Sequence, residues 1–434
     1  MRYNISKPSA PKMPKFGKGT ECIKILLSQV SKDVQEPIVP MLFPILGAHI
    51  SGAEFQYPDL TWKEPCGMMA HLVAESGGNK GQLSYLVEAL CRDFRQHDEI
   101  ELQKLVGWQK TVKSKGSAKD RPVRPDVAFW FPPSDVTNPA FIQNAMALEN
   151  LGGRTQYLNM PEVEMADKMC GGHRQVSQTI RNIYDRQRAG ALRATADGVT
   201  GNPILRANLT ISSTPYAARK FYKYELFNGT FGRMVFSYKA RTSRDGRIPR
   251  QGKYTDEFYR KLDEYLMRLD ICKGRFIIRP LNRLVDKLAQ DMASLADLAD
   301  DDVLWDISKR ALVSAWKAGC ILWMLNDQTW SKHMGEMVEW LVYHDLWSKM
   351  QLFADMLNLD VDQMSEAQRR GPKNMLDDLP NTFNESQLTA LRTSLGKSSE
   401  GTYNQLHKWM FRKFVTFNAE TGLYSKTDEY LKNG

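Results

Sequence analysis

A glycine-rich turn between an apolar run and an amphipathic segment constrains this chain more than any other feature of its sequence. The apolar run covers residues 68–74, the turn covers residues 76–81, and apolar residues then recur at i, i+3, i+4 and i+7 from Leu83 to Leu90. Strand, glycine-rich turn, lysine and helix follow in the order in which a phosphate-binding loop presents its backbone N–H groups. We therefore predict a nucleotide-binding loop whose contacting residues are Gly77, Gly78, Asn79, Lys80, Gly81 and Gln82.

The loop departs from the standard phosphate-binding motif. Aligned with G-x-x-x-x-G-K-[ST], residues 74–81 place Ala74 at the first glycine, Asn79 at the second glycine and Gly81 where a hydroxyl residue is expected. Lys80, the glycines within the loop and the flanking strand and helix patterns agree with the motif.

Composition places the chain among folded, mildly basic proteins. A length of 434 residues is enough for two or three domains, and 42% apolar with 25% charged residues excludes wholesale disorder. Lys and Arg number 59 against 50 Asp and Glu, a net charge of +9. This excess weakly favours a nucleic-acid partner, although ordinary surface charge gives the same balance.

The cysteines and the apolar runs bear on location. Six cysteines are scattered without a C-x-x-C pair, which is typical of reduced cysteines in a cytosolic protein and not of a disulfide frame or zinc site. No run reaches the roughly 18 apolar residues of a spanning helix. The first 20 residues are basic and proline-rich but lack the apolar core of a signal peptide. We expect a cytoplasmic protein with no membrane partner.

Strand and helix patterns alternate over the first two thirds of the chain. Residues 1–35 read as a flexible basic arm with a lead-in, and residues 37–50 as an apolar, proline-punctuated approach to the first strand. Further strands are predicted at residues 126–131, 155–160 and 205–212, with helical patterns between them. Alternation at this spacing predicts an α/β domain with a parallel sheet over residues 36–270.

Polar residues follow two of these predicted strands. Glu162 and Glu164 come directly after one strand, where a P-loop ATPase keeps the acidic groups that hold Mg²⁺ and polarise the attacking water. Glutamates at this place are otherwise solvent-exposed turn residues. Ser213 and Thr214 follow another strand, where a hydroxyl can contact a γ-phosphate or cap the next helix.

Two basic segments are candidates for contact with nucleic acid. Residues 110–124 hold six basic residues and one acid, including Lys110, Lys113, Lys115 and Lys119, and form either a solvated loop or a phosphate-neutralising one. Residues 173–203 are arginine-rich, with Arg186, Arg188 and Arg193 among them. They form either a polar, mobile connection or a basic loop at the mouth of a channel.

The last third of the chain is mainly helical. Helices are predicted at residues 255–269, 281–299, 302–324 and 334–357, and their tryptophans indicate a packed bundle over residues 271–360. Three short helices at residues 374–383, 384–395 and 399–413 precede two strands at residues 415–418 and 423–425. This order predicts a winged-helix-like DNA-binding domain over residues 366–434, with Lys408 and Arg412 on its recognition helix. A structural oligomerisation cap is the alternative.

Several of these segments together resemble one protein family. The segments are residues 79–81 (NKG), 161–164 (PEVE), 212–214 (SST), 228–236 (NGTFGRMVF) and 369–380 (RRGPKNMLDDLP), and the resemblance covers about nine-tenths of the chain. They are similar in order and spacing to the mobile-element primase–helicase-like family, bacterial P-loop proteins with a domain of otherwise unassigned function.

The resemblance implies a RecA/AAA+-like ATPase that acts on single-stranded or duplex DNA in the replication or transfer of a mobile element or phage. It implies ATP and Mg²⁺ as cofactors and a homo-oligomer such as a hexamer. Lys80 would then contact the β- and γ-phosphates, Glu162 would polarise water, and Glu164 would stand at the metal. Thr214 would sense the γ-phosphate, and Arg233 would act as a finger that reaches a neighbour's site.

Three departures from the family pattern surround the metal position. Gly81 stands in place of the hydroxyl residue, with Gln82 as a poor substitute; Asn79 replaces a glycine, and Glu164 replaces an aspartate. They leave two main hypotheses open. One is a DNA-dependent, helicase-like ATPase with a degenerate loop, and the other is a non-catalytic DNA-binding replication or mobilisation factor with a vestigial loop. A structural scaffold without a nucleic-acid role is a third.

Overall fold

A computed structural model describes residues 4–114, 122–171, 173–190, 199–223, 225–226, 229–240, 248, 250–357 and 374–433. Its helices are α1 (Glu21–Leu27), α2 (Lys32–Ala48), α3 (Gln82–Leu90), α4 (Arg92–Ser114), α5 (Asn138–Asn150), α6 (Glu164–Cys170), α7 (His173–Tyr184), α8 (Pro215–Tyr222), α9 (Thr230–Arg233), α10 (Asp256–Ile271), α11 (Arg279–Ala299), α12 (Asp302–Leu325), α13 (Lys332–Leu357), α14 (Glu385–Ser394), α15 (Thr402–Phe411) and α16 (Asp428–Asn433). The strands are β1 (Ala53–Gln56), β2 (Trp62–Lys63), β3 (Met69–Ala74), β4 (Gln156–Met160), β5 (Ala207–Ser213), β6 (Val235–Lys239), β7 (Gly274–Phe276), β8 (Thr382–Phe383), β9 (Val415–Asn418) and β10 (Leu423–Lys426).

A four-stranded parallel sheet lies at the centre of the molecule, in the order β4-β5-β3-β6. Every residue of β3 and β5 is buried, as expected for central parallel strands with both faces covered. Helix α2 packs against β3, β5 and β6, and α13 runs along β6. The predicted α/β fold with a parallel sheet is confirmed.

Helix α2 replaces the irregular lead-in expected from the three prolines of residues 37–50. It is continuous from Lys32 to Ala48 with all three prolines inside it, and residues 37–48 are buried. The carbonyls of Pro37 and Pro44 accept hydrogen bonds from Ser237 and Asn208, at 2.7 and 2.9 Å. Contact with the sheet stabilises a helix that proline alone would disfavour.

The strand predicted at residues 126–131 does not form. This segment lies beside β4, and the Trp130 carbonyl accepts from the Tyr157 N–H at 2.8 Å. Its own N–H groups donate to side chains instead of to a strand: Trp130 and Phe131 to the Asp98 carboxylate at 2.8 and 2.7 Å, and Phe129 to the Asn144 amide oxygen at 2.7 Å. These side chains satisfy the buried backbone without a β-ladder.

The long helices of the last third form as predicted, but they do not make a separate bundle domain. One hydrophobic core runs from Ile5 to Leu357 and includes the sheet together with α10 to α13. The boundary predicted at residue 270 therefore does not divide two cores. The predicted flexible arm also belongs to this body, because Ile5 is 2% exposed and residues 10–17 lie along α13.

A second, smaller core lies in residues 375–424. It is built from α14, α15 and an antiparallel sheet in the order β8-β10-β9. The helix predicted at residues 374–383 is replaced by turns and β8, because Met375 and Leu376 are buried in this core in a non-helical path. No helix within the described ranges is both long and apolar enough to cross a membrane.

Candidate functional site

The parallel sheet brings the polar residues that follow its strands to one edge. In the register of the sheet, Val73 pairs with Ser213 and Ala74 pairs with Lys239, so the loop after β3 lies between Thr214 and the end of β6. Strand β4, which leads to Glu162, lies beyond β5. Ligands of open α/β sheets bind at this carboxyl edge. The sequence-predicted residues Lys80, Thr214 and Glu162 therefore share one edge, with Thr214 in the middle.

Residues 75–81 form an open turn that leads into α3. Gly77 has φ +76° with open space around it, and a side chain at Gly78 would lie 2.9 Å from the Glu75 carbonyl oxygen. Asn79, at the second glycine of the motif, has φ 62°, a left-handed conformation that asparagine tolerates better than most residues. Gly81 also faces open space. The Cβ positions of Gly77 and Gly81 are thus open at the loop that precedes the N-terminus of α3, the kind of place where anions bind.

Lys80 spans this loop. Its ammonium donates to the Ala74 carbonyl at 2.8 Å and to the Glu75 carbonyl at 3.4 Å. Partial burial lowers the pKa of Lys80, while the negative charges of Glu162 and Glu75 act to raise it. Glu162 is exposed in the turn after β4. The structure therefore brings Lys80 and Glu162 within electrostatic reach of each other.

An ion pair between Lys239 and Asp33, which was not expected from the sequence, contacts the loop at the end of β6. The Lys239 ammonium lies 2.5 Å from the Asp33 carboxylate and donates to the Gly78 carbonyl at 3.1 Å. The Asn79 amide donates to the same carboxylate at 3.1 Å. Burial acts to raise the pKa of Asp33, but hydrogen bonds from Lys239, Ser31 and Asn79 outweigh it and the pKa is lowered. No motif identifies Asp33, because it precedes the loop by 46 residues.

Residues at the expected metal position do not fit a directly bound Mg²⁺. Gly81 has no side-chain oxygen, and the buried Gln82 amide is occupied by Ser31, accepting from its N–H at 2.8 Å and donating to its hydroxyl at 2.9 Å. Glu164 is exposed in the first turn of α6. Among the described residues, no group of three or more His, Cys, Asp or Glu side chains is arranged to hold a metal ion.

Thr214 has a structural role that the sequence analysis left as an alternative. Its hydroxyl accepts from the Ala217 N–H at 3.3 Å and so caps α8. A hydroxyl that accepts one bond still has a proton to donate. Behind it, His71 on β3 lies 2.8 Å from the Ser213 hydroxyl, and burial, assisted by the charge of Lys80, lowers the pKa of His71 to about 3. His71 is therefore neutral.

Arg233 does not lie at this site. It ends α9, just before β6 begins, and so lies at the amino edge of the sheet, opposite the loop. Its guanidinium is 8% exposed and donates to the Asp185 carboxylate at 2.9 Å and to the Gly229 carbonyl at 2.8 Å. A buried, ion-paired arginine is not available to reach a neighbouring subunit. The expected arginine finger is corrected to a structural residue.

The basic residues predicted to contact nucleic acid lie on separate elements. Lys110 and Lys113 are exposed on the last turns of α4, which continues through the expected loop to Ser114. Lys115, Lys119 and Arg193 lie outside the described residues, as do residues 369–373 of the C-terminal motif. The first half of the predicted arginine-rich connection is helix α7.

The other four basic residues that were predicted to contact nucleic acid form ion pairs. Arg186 pairs with Glu64 at 2.8 Å, and Arg188 pairs with Glu149 at 3.0 Å. On α15, Lys408 lies 3.8 Å from Asp302, and Arg412 lies 2.7 Å from Asp297. These contacts neutralise part of the charge that the sequence analysis assigned to phosphate binding. Arg412 in particular joins α15 to α11.

Two comparisons of the chain with known proteins found no match. No protein-family model matches the chain, and no curated protein matches it in sequence.

Proposed function

We propose that this chain is a P-loop protein with a RecA/AAA+-like core that binds ATP at residues 75–81 and acts on DNA. One observation carries the proposal. A glycine-rich loop ahead of a helix N-terminus presents Lys80 at the carboxyl edge of a parallel sheet, within electrostatic reach of Glu162 and beside Thr214. Lysine, acid and hydroxyl at one edge are among the groups that P-loop proteins use in phosphoryl transfer from a nucleotide.

The loop supports phosphate binding through its backbone. Gly77, Gly78 and Gly81 keep side chains out of the space above α3, and the N-terminus of that helix favours negative charge. Lys80 would exchange its bonds to the Ala74 and Glu75 carbonyls for bonds to phosphate oxygens. Glu162, exposed at the same edge, would orient the attacking water. Since Gly81 and Gln82 offer no ligand to Mg²⁺, no step of the proposal passes through a metal.

ATP turnover tests the proposal directly. Purified protein should release phosphate from ATP, more so with single-stranded DNA, and Lys80→Ala should abolish release. Lys287→Ala, at an exposed lysine of α11, is the matched control and should have no effect. Turnover that persists in Lys80→Ala would show that the loop is not the site.

A non-catalytic DNA-binding factor is the second candidate. It is favoured by the Gln82 amide, which is buried and both donates to and accepts from Ser31, and so is held away from a metal or nucleotide. This candidate expects DNA binding that weakens steeply with salt and does not respond to ATP. Binding that changes with ATP, and does so only when Lys80 is present, would exclude it. On either candidate, we propose a role in DNA replication or transfer, which is what the resemblance implies.

The C-terminal unit supports a winged-helix-like reading of residues 374–433. Helices α14 and α15 are followed by the β9–β10 hairpin, and Tyr403 and His407 are exposed on α15. This unit carries seven Lys and Arg and seven Asp and Glu over residues 374–434, so aromatic contacts rather than net charge would bind DNA. Alanine at Tyr403 and His407 should weaken DNA binding at unchanged stability. Unchanged affinity would favour the oligomerisation cap.

A further inference from the structure

The N-terminal arm holds most of the excess positive charge of the chain. Residues 1–20 carry one arginine, four lysines and no acid, which is five of the nine excess charges. The sequence predicts a flexible segment here. In the structure, residues 7–18 of the arm follow a path along α13.

Tryptophan side chains of α13 anchor the backbone of the arm. The Trp340 indole N–H donates to the Pro11 carbonyl at 2.8 Å, and the Trp347 indole N–H donates to the Lys7 carbonyl at 3.0 Å. Just before α13 begins, the Ser331 hydroxyl donates to the Lys18 carbonyl. Donation from tryptophan to the carbonyls of an extended, proline-rich segment is how aromatic-lined grooves hold polyproline II helices.

Burial along the arm repeats every three residues. Pro11 and Pro14 are buried, Met13 and Phe16 are half-buried, and Lys12, Lys15 and Lys18 are exposed. A period of three is that of the polyproline II helix, which rises about 3.1 Å per residue. On such a path Lys12 and Lys15 lie on one side of the arm, about 9 Å apart. Lys18 follows them in the turn that the Thr20 N–H closes by donating to the Gly17 carbonyl at 3.0 Å. We name Lys12, Lys15 and Lys18 the lysine stripe.

The stripe offers charge on a backbone that is already ordered. Among the described residues, none of its three lysines forms an ion pair, in contrast to Arg186, Arg188 and Arg412. Fixing the backbone in advance removes part of the ordering cost of binding. The apolar side chains of the arm pack against the core: Ile5 is 2% exposed, and Met13 and Phe16 are half-buried, so little apolar surface is left to enter a bilayer. A row of exposed lysines with little apolar surface beside it fits a chain of phosphates.

We propose that the lysine stripe binds the phosphate backbone of nucleic acid, as a contact surface distinct from the basic segments discussed above. The inference rests on the proposed function, since it names where the DNA substrate of that function lies. Each lysine contributes one phosphate contact. The contact is electrostatic and independent of base sequence.

The salt dependence of binding tests the stripe. Labelled oligonucleotides, single-stranded and duplex, are titrated by fluorescence anisotropy over a salt series with wild type and with Lys12→Gln/Lys15→Gln/Lys18→Gln. The logarithm of the binding constant falls as the logarithm of the salt concentration rises. Removing three contacts should make this negative slope less steep, by about 2 for a single strand and by about 2.7 for a duplex. The control Lys261→Gln/Lys287→Gln/Lys309→Gln, at exposed lysines of α10, α11 and α12, should keep the wild-type slope.

The outcomes separate this inference from the proposed function. A stripe variant with the wild-type slope overturns the inference and leaves the proposed function standing. Wild type that binds neither oligonucleotide overturns the DNA role in both. Lys80→Ala should lose ATP binding yet keep the wild-type slope. If the stripe variant instead loses binding to phosphatidylserine–phosphatidylcholine vesicles and keeps its oligonucleotide slope, the stripe is a membrane contact and the inference is wrong.

Discussion

A buried ion pair at the outer strand of the sheet gives the sharpest test of how the site is supported. Asp345 and Lys349 lie one turn apart on α13, 2.8 Å from each other and 2% and 0% exposed. The Asp345 carboxylate also accepts from the Phe236 N–H at 2.7 Å. Strand β6, which this bond holds, ends at Lys239, the residue that contacts the glycine-rich loop of residues 75–81. The pair thus links the helix to the site through β6.

Asp345→Asn isolates the charge of this pair. The amide oxygen of asparagine can still accept from the Phe236 N–H, but Lys349 is left in the core without a counter-ion. Loss of one partner of a buried pair costs about 3–5 kcal/mol. We expect a fall of that size in the free energy of unfolding at neutral pH. Adding Lys349→Met removes the stranded charge, so the double variant should recover most of the loss.

Urea unfolding followed by tryptophan fluorescence measures these changes. Glu257→Gln is the matched control, because Glu257 and Lys261 have the same i, i+4 order at 2.6 Å but lie exposed on α10. It should leave the free energy of unfolding almost unchanged. A loss no larger than that of Glu257→Gln would refute the reasoning.

Three further predictions address the loop, the amino edge of the sheet and the response to pH. Asp33→Asn removes the charge that holds Lys239 at the loop. Because a charged hydrogen bond is worth about 1.5 kcal/mol, the affinity for a fluorescent ATP analogue should fall about tenfold. Unchanged affinity would contradict the role of this pair. Arg233→Ala should lower the urea midpoint by breaking its buried pair with Asp185, while turnover per folded molecule stays constant. Loss of turnover at unchanged stability would restore the finger assignment. Burial lowers the pKa of His344 to about 3. In the unfolded chain this histidine takes up a proton at a higher pH, so the free energy of unfolding falls as the pH drops below about 6.5. In urea unfolding at several pH values, His344→Asn should lose about 1.4 kcal/mol less of that free energy per pH unit in this range.

Local patterns in the sequence located the glycine-rich turn and strands β3, β4 and β5 of the sheet. The run of residues 68–74, the glycines after it and the leucine spacing that follows each report on neighbours within a few positions, and β3, the open turn and α3 are where they indicate. Periodicity also found helices α11 to α13 to within a few residues. Such features form because short-range conformational preference and burial agree.

Features that depend on distant partners were not accessible in this way. Residues 126–131 have the composition of a strand, yet Asp98 and Asn144 satisfy their N–H groups and no strand forms. Helix α2 forms through its prolines because the sheet buries it. The arm has the composition of a disordered segment, but two tryptophans some 330 residues later hold its carbonyls. In each case the deciding contact lies far away in the sequence.

At the candidate site, the order of residues alone shows that Lys80 follows a glycine-rich turn and that Gly81 brings no hydroxyl to it. The groups that surround this turn come from distant parts of the chain, which the fold brings together. It placed Thr214 and Glu162 at the same edge, moved Arg233 to the opposite one, and added Asp33 and Lys239, which no motif contains. The physical reason is that the chemistry of a residue is fixed by its type, whereas its neighbours and its exposure are fixed by the order and direction of the strands that carry it.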